Sequence, residues 1–433
     1  MKTFGLFILL TAALSGAELA VSPWPQFRGR LGNGHLDAAD SSAVPGHPIE
    51  WAENKNVAWK TAIPHKGWST PVLIHGMLWL TTATPEGREF FALCLDQKSG
   101  RILVEKKLFH SDSPEPLGNP VNGYASPSPL ADGAMVFVHF GSYGTAALDA
   151  KSGNEIWRRT DLPCRHYRGP GSSLAQFRDT LIVTMDGVDF QYLVALDKQT
   201  GKTRWKVDRT TDFGDLGPDG KPTLEGDLRK AYTTPLVVEP AGARPWFISI
   251  GAKASYGYDA ATGAELWKVT YPGFSNASSP LYSHGLAFIN TGYGKANLLA
   301  YKVDGATRGD VTKSGLEWDC LKRVPQRASP IIVGDFLYMV DDGGFCSCLE
   351  VKTGAIKWSE RLDGNYSGSP VFASGHLYFC SEQGDSYVLK PDPSKLAVAA
   401  HNRLDSGMLA SPAADSRALF LRTKSHLYRI ESK

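Results

Sequence analysis

From residue 326 to 362 the chain reads QRASPIIVGDFLYMVDDGGFCSCLEVKTGAIKWSERL. A Ser-Pro opens a short apolar run, PIIV, and Gly334-Asp335 turns it. FLYMV follows, DDGG turns again, FCSCLEV is a third run, KTG a third turn, and IKWSERL a fourth run. Short alternating runs punctuated by Gly and Asp predict a four-stranded antiparallel meander. A unit of this kind, about 40 residues long, has the length of one propeller blade.

The end of that unit returns along the chain as LDAKSGNEIW (148–157), LDKQTGKTRW (196–205), YDAATGAELW (258–267) and LEVKTGAIKW (349–358). Ser-Pro-like starts near Pro71, Pro129, Ser173, Pro235, Pro280, Pro330, Pro370 and Pro412 mark eight units. The last one runs out after three strands, and NVAWKTAIP (56–64) resembles AELWKVTYP (264–272). The expected fold is therefore all-β. It is an eight-bladed propeller of four-stranded antiparallel blades over 56–433, closed by an N-terminal strand that completes the last blade. Closure removes the open sheet edges that invite aggregation. Residues 18–55 are expected to form an extension packed on the propeller.

The glycine of the TG turn suits a hairpin that needs a positive φ. The tryptophan after it, Trp157, Trp205, Trp267 or Trp358, and Trp59 by the closure argument, holds one fixed place on the outer strand. An indole there covers the seam between blades, burying roughly 150–250 Å². These five are read as blade-docking residues. Val104 takes the place in the first unit, and the seventh unit, LKPDPSKLAVAA, lacks both glycine and tryptophan. Those two seams are expected to be weaker.

The first residues, MKTFGLFILLTAALSGAELA, have the form of an export signal: Lys2, an apolar stretch from Phe4 to Leu14, and small residues placed for cleavage after Ala17, or as late as Ala20. Ala17 stands where a lipoprotein would carry its acylated cysteine. No later run is long enough for a membrane span of roughly 20 residues. The expected protein is soluble, periplasmic or secreted, and not a lipoprotein. A net charge of +2 with no basic run argues against a nucleic-acid partner. The cysteines, Cys94, Cys164, Cys320, Cys346, Cys348 and Cys380, form no CxxC pair and no haem-attachment motif. Cys94 and Cys348 fall where other copies carry Ala147 and Ala195, which reads as small buried packing. Any disulfide among Cys346, Cys348 and Cys380 is left open.

These residues resemble the pyrroloquinoline quinone (PQQ) repeat, the AxDxxTGxxxW blade of the quinoprotein-type propellers, over nearly everything after residue 56. WPQFRG (24–29) and RHYRGPGSS (165–173) are similar to segments of exported PQQ-like propellers of no established activity. Two better-known branches share the blade: quinoprotein alcohol and sugar dehydrogenases, and the outer-membrane assembly factor BamB, a lipoprotein that binds other proteins. The dehydrogenase branch implies a quinone held between a tryptophan and a disulfide of adjacent cysteines, with calcium and an aspartate base. Here Ser347 separates Cys346 from Cys348, and Asp341-Asp342 reads as part of a hairpin turn.

Eleven histidines show no HxH or HExxH spacing, and no GxSxG, Walker or Rossmann pattern occurs. The unusual cluster is His166, Tyr167 and Arg168 before GPGSS, at the start of the third blade. His166, Arg168, Lys253 in GAKASYG and Arg327 in QRASP are candidate ligand contacts facing the central channel. The expected function is that of a non-enzymatic binding or scaffold propeller of the cell envelope, a monomer without a cofactor. Its partner is another envelope protein or a carbohydrate, held on a propeller face or at the channel mouth. The alternative is a PQQ- and calcium-dependent dehydrogenase of alcohols or sugars with a divergent site.

Overall fold

Eight sheets, antiparallel but for one added strand, follow one another in sequence order in the computed structural model, which describes residues 22–36 and 46–432. The expected signal segment, 1–17, lies outside the described residues. The sixth blade shows the regular pattern: Ile331–Val333, Phe336–Val340, Phe345–Glu350 and Ile356–Arg361, hydrogen-bonded in that order. The eighth joins Ala413–Ala414, Ala418–Arg422 and His426–Glu431 to Val57–Ala62, which pairs antiparallel with His426–Glu431. The eight-bladed ring is thus closed by both ends of the repeat region.

No single core holds the ring. Buried apolar residues gather between neighbouring blades, as in the cluster of Phe137, Trp157, Leu181 and Val194 between the second and third. The repeated phrase explains why. Asp149 caps its turn by accepting the Ser152 N–H at 2.8 Å and the Ser152 hydroxyl at 2.7 Å, and Asp197 and Asp259 do the same for Thr200 and Thr262. These short-range bonds hold the Asx-type turn. Gly201 follows with φ +69°, and a Cβ there would stand 2.7 Å from the Trp157 ring of the preceding blade. The glycine therefore supplies both the left-handed backbone and the room for the indole. Opposite each such position stands a small residue: Ala147 faces Trp157, Ala195 faces Trp205, Cys348 faces Trp358 and Cys94 faces Val104. All six cysteines are buried free thiols.

Trp59 sits on Gly100, Trp157 on Gly201 and Trp205 on Gly263, each bridging one seam. Trp318 does the same to Gly354, though the sequence hides it. Its outer strand, Leu316–Cys320, is separated from Leu298–Lys302 by a long insertion instead of a TG turn. Trp358 reaches the seventh blade through Nε1, which donates to the Asp392 carbonyl at 2.9 Å. The two seams expected to be weaker have substitutes. Trp79, from the inner part of the first blade, donates Nε1 to the Ala150 carbonyl at 3.2 Å, as Trp157 does to Lys198 at 2.7 Å. Trp51, from the N-terminal extension, stacks on Tyr378 of the seventh blade at 6.2 Å, and its backbone N–H donates to Asn402 Oδ1 at 2.8 Å.

Trp267 behaves differently. It packs edge-on against Trp246 of its own blade at 5.8 Å. The insertion of the fifth blade runs back instead, and Gly309–Asp310 adds a parallel fifth strand to the fourth blade, opposite Trp267 and Lys268.

Candidate functional site: a blind cup in the propeller channel

In seven blades the inner strand starts just after a proline, which has no N–H and is tolerated at a strand's start; the third blade has Leu174 in its place. The residue before this position is a serine or threonine in every blade: Thr70, Ser128, Ser173, Thr234, Ser279, Ser329, Ser369 and Ser411. Their hydroxyls form a belt around the channel. The Thr70 N–H donates to Ser128 Oγ, Ser128 to Ser173, Ser173 to Thr234, and, further round, Ser279 to Ser329, Ser329 to Ser369 and Ser369 to Ser411, all at 2.9–3.0 Å. Thr70 Oγ1 joins the first blade to the eighth through the Ser411 carbonyl at 3.0 Å, and the one gap in the belt falls between Thr234 and Ser279, whose Oγ has no partner among the described residues. The Ser-Pro signature thus satisfies backbone donors that would otherwise be stranded in the channel wall.

One end of the channel is stopped. The segment 24–36 crosses it beyond the belt. The Trp24 and Pro25 carbonyls accept from Leu73 and Ala131 in the first two blades, and the Gly34 carbonyl accepts from Phe372 in the seventh. Arg28 fastens it to the sixth. Its guanidinium donates to the Pro330 carbonyl at 2.6 Å and to Ser329 at 3.3 Å, as well as to Asn33 of its own loop at 3.0 Å. Burial draws this arginine down to a pKa of about 9. Phe27 faces into the channel from this plug.

What remains is a cup of about 460 Å³, within the usual range for small-ligand sites, roughly 300–1,000 Å³. Phe27 and belt hydroxyls such as Ser128, Ser173, Ser369 and Ser411 line its lower part; Trp68, Asn122, Arg168, Tyr232, Tyr293 and Arg327 line the upper part. All of these but Tyr293 precede the belt positions in their blades, on the side away from the plug; Tyr293 stands on the loop between Leu286–Asn290 and Leu298–Lys302.

Of the four candidate contacts, Arg168 and Arg327 line the cup. Arg168 makes a two-pronged pair with Asp227, both contacts at 3.1 Å. Arg327 pairs with Asp342 at 2.7 Å and with Glu382 at 3.0 Å. The two residues of DDGG divide the work: Asp341 Oδ1 caps the turn at Gly343 and Phe345, while Asp342 turns to Arg327 and the Gln326 N–H. His166 lies behind the wall, 5% exposed. Its Nε2 accepts the Ser142 N–H at 3.1 Å and its Nδ1 meets Lys230 Nζ at 3.0 Å. Burial holds both groups below their ordinary pKa, His166 well below. Lys253 Nζ donates to the Phe213 carbonyl at 2.6 Å and is not part of the lining.

Several partners escaped sequence reading because they come from distant positions. Asp227 is in the insertion of 210–230, and Asn122 ties the loop of Arg168 down through the carbonyls of Arg168, Gly169 and Pro170 at 2.8–3.2 Å. The belt itself had a visible signal, the serine or threonine before the proline of seven blades.

The residues present do not fit a quinone with calcium. PQQ carries several carboxylates, and both cup arginines are already committed to protein carboxylates. Asp342 is the one carboxylate among the lining residues, and Arg327 engages it. Among the described residues no three His, Cys, Asp or Glu side chains converge to hold an ion. Cys346 and Cys348 lie on the third strand of their blade, away from the lining.

A sequence profile of the family described as outer membrane protein assembly factor BamB matches residues 56–215 and 189–433. A BamB of Shewanella oneidensis is 25% identical over 262 residues, 57% of this chain and 59% of that protein. The match thus spans about three-fifths of that relative. Among solved structures, BamB from Moraxella catarrhalis superposes with a TM-score of 0.58 at 12% identity, covering 86% of this chain and 99% of its own. The quinohemoprotein alcohol dehydrogenase ADHIIG of Pseudomonas putida HK5 also reaches 0.58, at 11% identity, covering 88% and 78%. At such identities the structural likeness speaks for the fold alone. The family profile, spanning the whole ring, carries the assignment: the chain belongs to the BamB-type family of PQQ-repeat propellers.

Proposed function

We propose that this protein is an exported, non-enzymatic binding or scaffold propeller of the cell envelope, and that its ligand sits in the blind cup at the channel mouth. The relative described as an outer membrane assembly factor supports an envelope setting. Among the described residues no helix is long and apolar enough to cross a membrane. The observation that carries the reading is the state of the cup's charges. Arg168 and Arg327 are each locked to carboxylates. That leaves a shaped, polar, plugged cavity without a free acid, base or cation for catalysis.

The test is a titration of the mature protein with PQQ, with and without calcium, followed by tryptophan fluorescence and calorimetry. No saturation up to high micromolar PQQ is expected. Saturable, calcium-dependent binding would overturn the reading in favour of a dehydrogenase. In parallel, a photo-crosslinking residue at Val121, on the cup wall, should capture an envelope component in cells. Filling the cup by Ala277→Trp should abolish that capture.

A further inference from the structure

We infer that the cup receives the end of a neutral carbohydrate chain, inserted end-on; this rests on the cup being the binding site. Four observations lead there. The first is charge. Every ionic group at the cup is already paired: Arg168 with Asp227, and Arg327 with Asp342 and Glu382. A peptide terminus, a phosphate or a uronate brings a full charge into a cup whose own charges are already neutralised, and its desolvation there has no uncommitted counter-charge to offset it. A neutral ligand avoids that cost.

The second is the donor set. Belt hydroxyls and the amides of Asn119, Asn122 and Gln326 line the cup. Hydroxyls and amides both donate and accept, which suits a ligand whose own groups are hydroxyls of mixed role. Shape and the third observation go together. Trp68, Tyr232 and Tyr293 stand in the wall. Tyr293 is 62% exposed, held edge-on against Phe274 at 6.0 Å. A flat aromatic face beside hydrogen-bonding groups matches a sugar ring, with its C–H face and its rim of hydroxyls.

The fourth is the plug. Phe27 lines the closed end of the cup, and Arg28 fastens the same segment to the sixth blade through the Pro330 carbonyl. A chain cannot thread through, so only its end can be held.

The experiment uses the full mature protein on a microarray of neutral and acidic glycans, with calorimetry on the best binders and matched linear and cyclic oligosaccharides of the same sugar. The expected result is saturable binding of neutral linear glycans and no binding of the cyclic ones. Ala277→Trp should weaken affinity more than tenfold. Tyr293→Ala, at an exposed position with no demand on folding, should weaken it about tenfold at an unchanged Tm. Preference for acidic glycans or for peptides, equal binding of cyclic and linear forms, or indifference to both substitutions would overturn the inference. The two readings fail separately. Loss of the Val121 crosslink in Ala277→Trp without any glycan binding would refute the carbohydrate and keep the cup. A crosslink that survives Ala277→Trp would refute the cup itself.

Discussion

The seam between the third and fourth blades and the seam between the fourth and fifth are built on different principles. At the first, Trp205 of one blade lies on Gly263 of the next and stacks on Phe247 at 6.1 Å, an almost parallel contact at 11°. At the second, Trp267 turns into its own blade, and the join is made by a parallel strap, Gly309–Asp310, together with Trp246 edge-on to Tyr282 at 5.1 Å. The hydroxyl belt runs unbroken past the first seam's neighbours and is broken at the second. The strap adds backbone pairing to a seam still packed by Ile248, Trp267, Ile289 and Leu299, and where the repeat is abandoned Ser279 Oγ is left without a partner among the described residues. Departures from a repeat are thus informative: they show which contacts the repeat itself was supplying.

The largest effect should come from emptying a regular seam. Trp157→Ala removes a buried indole and its bond to Lys198, and should cost about 3–5 kcal/mol in urea unfolding. A loss below about 1 kcal/mol would mean that the tryptophan seams do not hold the ring. Acid should act next. His139 is fully buried and burial lowers its pKa to about 4, and His166 is also held low. The unfolded chain then binds protons that the folded chain refuses, so stability falls as pH drops below about 6.5 and goes on falling towards about 4. For His139 the difference of about 2.5 pH units corresponds to roughly 3 kcal/mol. Unfolding curves at pH 7.5, 5.5 and 4.5 test this, and His139→Gln should flatten the decline.

The strap should show a smaller and more local response. Val311→Pro removes the N–H that donates to the Lys268 carbonyl at 2.9 Å. A loss of about 1–3 kcal/mol is expected, with faster amide exchange confined to Glu265–Thr270. Equal acceleration in Thr203–Asp208 would show that the two seams are not separate units. The smallest change pairs two glycines. Gly334 has φ +60° with nothing near a prospective Cβ, while Gly201 faces Trp157. Gly334→Ala should cost about 1 kcal/mol for the backbone alone, and Gly201→Ala clearly more; equal losses would remove the steric part of the explanation.

Much of the ring was legible because it repeats. The Ser-Pro starts, the Asp-capped TG turns and the missing last strand each have a period, and a period is visible without a structure. The plug, the strap and Trp51 have none. Their partners, such as Arg28 on Pro330 and Trp51 on Asn402, lie some 300 residues or more away. Nothing local prescribes such contacts. Arg168 and Arg327 stood out by their place at blade starts, yet their neutralisation by Asp227 and Glu382 depends on which loops meet over the channel. His166 looked like a ligand contact in sequence because histidine beside glycines is unusual. Its partner Lys230 comes from 64 positions on.

The junction of Val57–Ala62 with His426–Glu431 makes the ring a clasp whose two halves are synthesised far apart in time. At about 5–20 residues per second the first strand waits roughly 20–70 seconds for its mate. Until then the flanks of the first and seventh blades lie open, and the unfinished arc is an adhesive surface rather than a closed body. A chain of this design is a polymer in search of its own beginning, and its maturation is governed by the meeting of its ends.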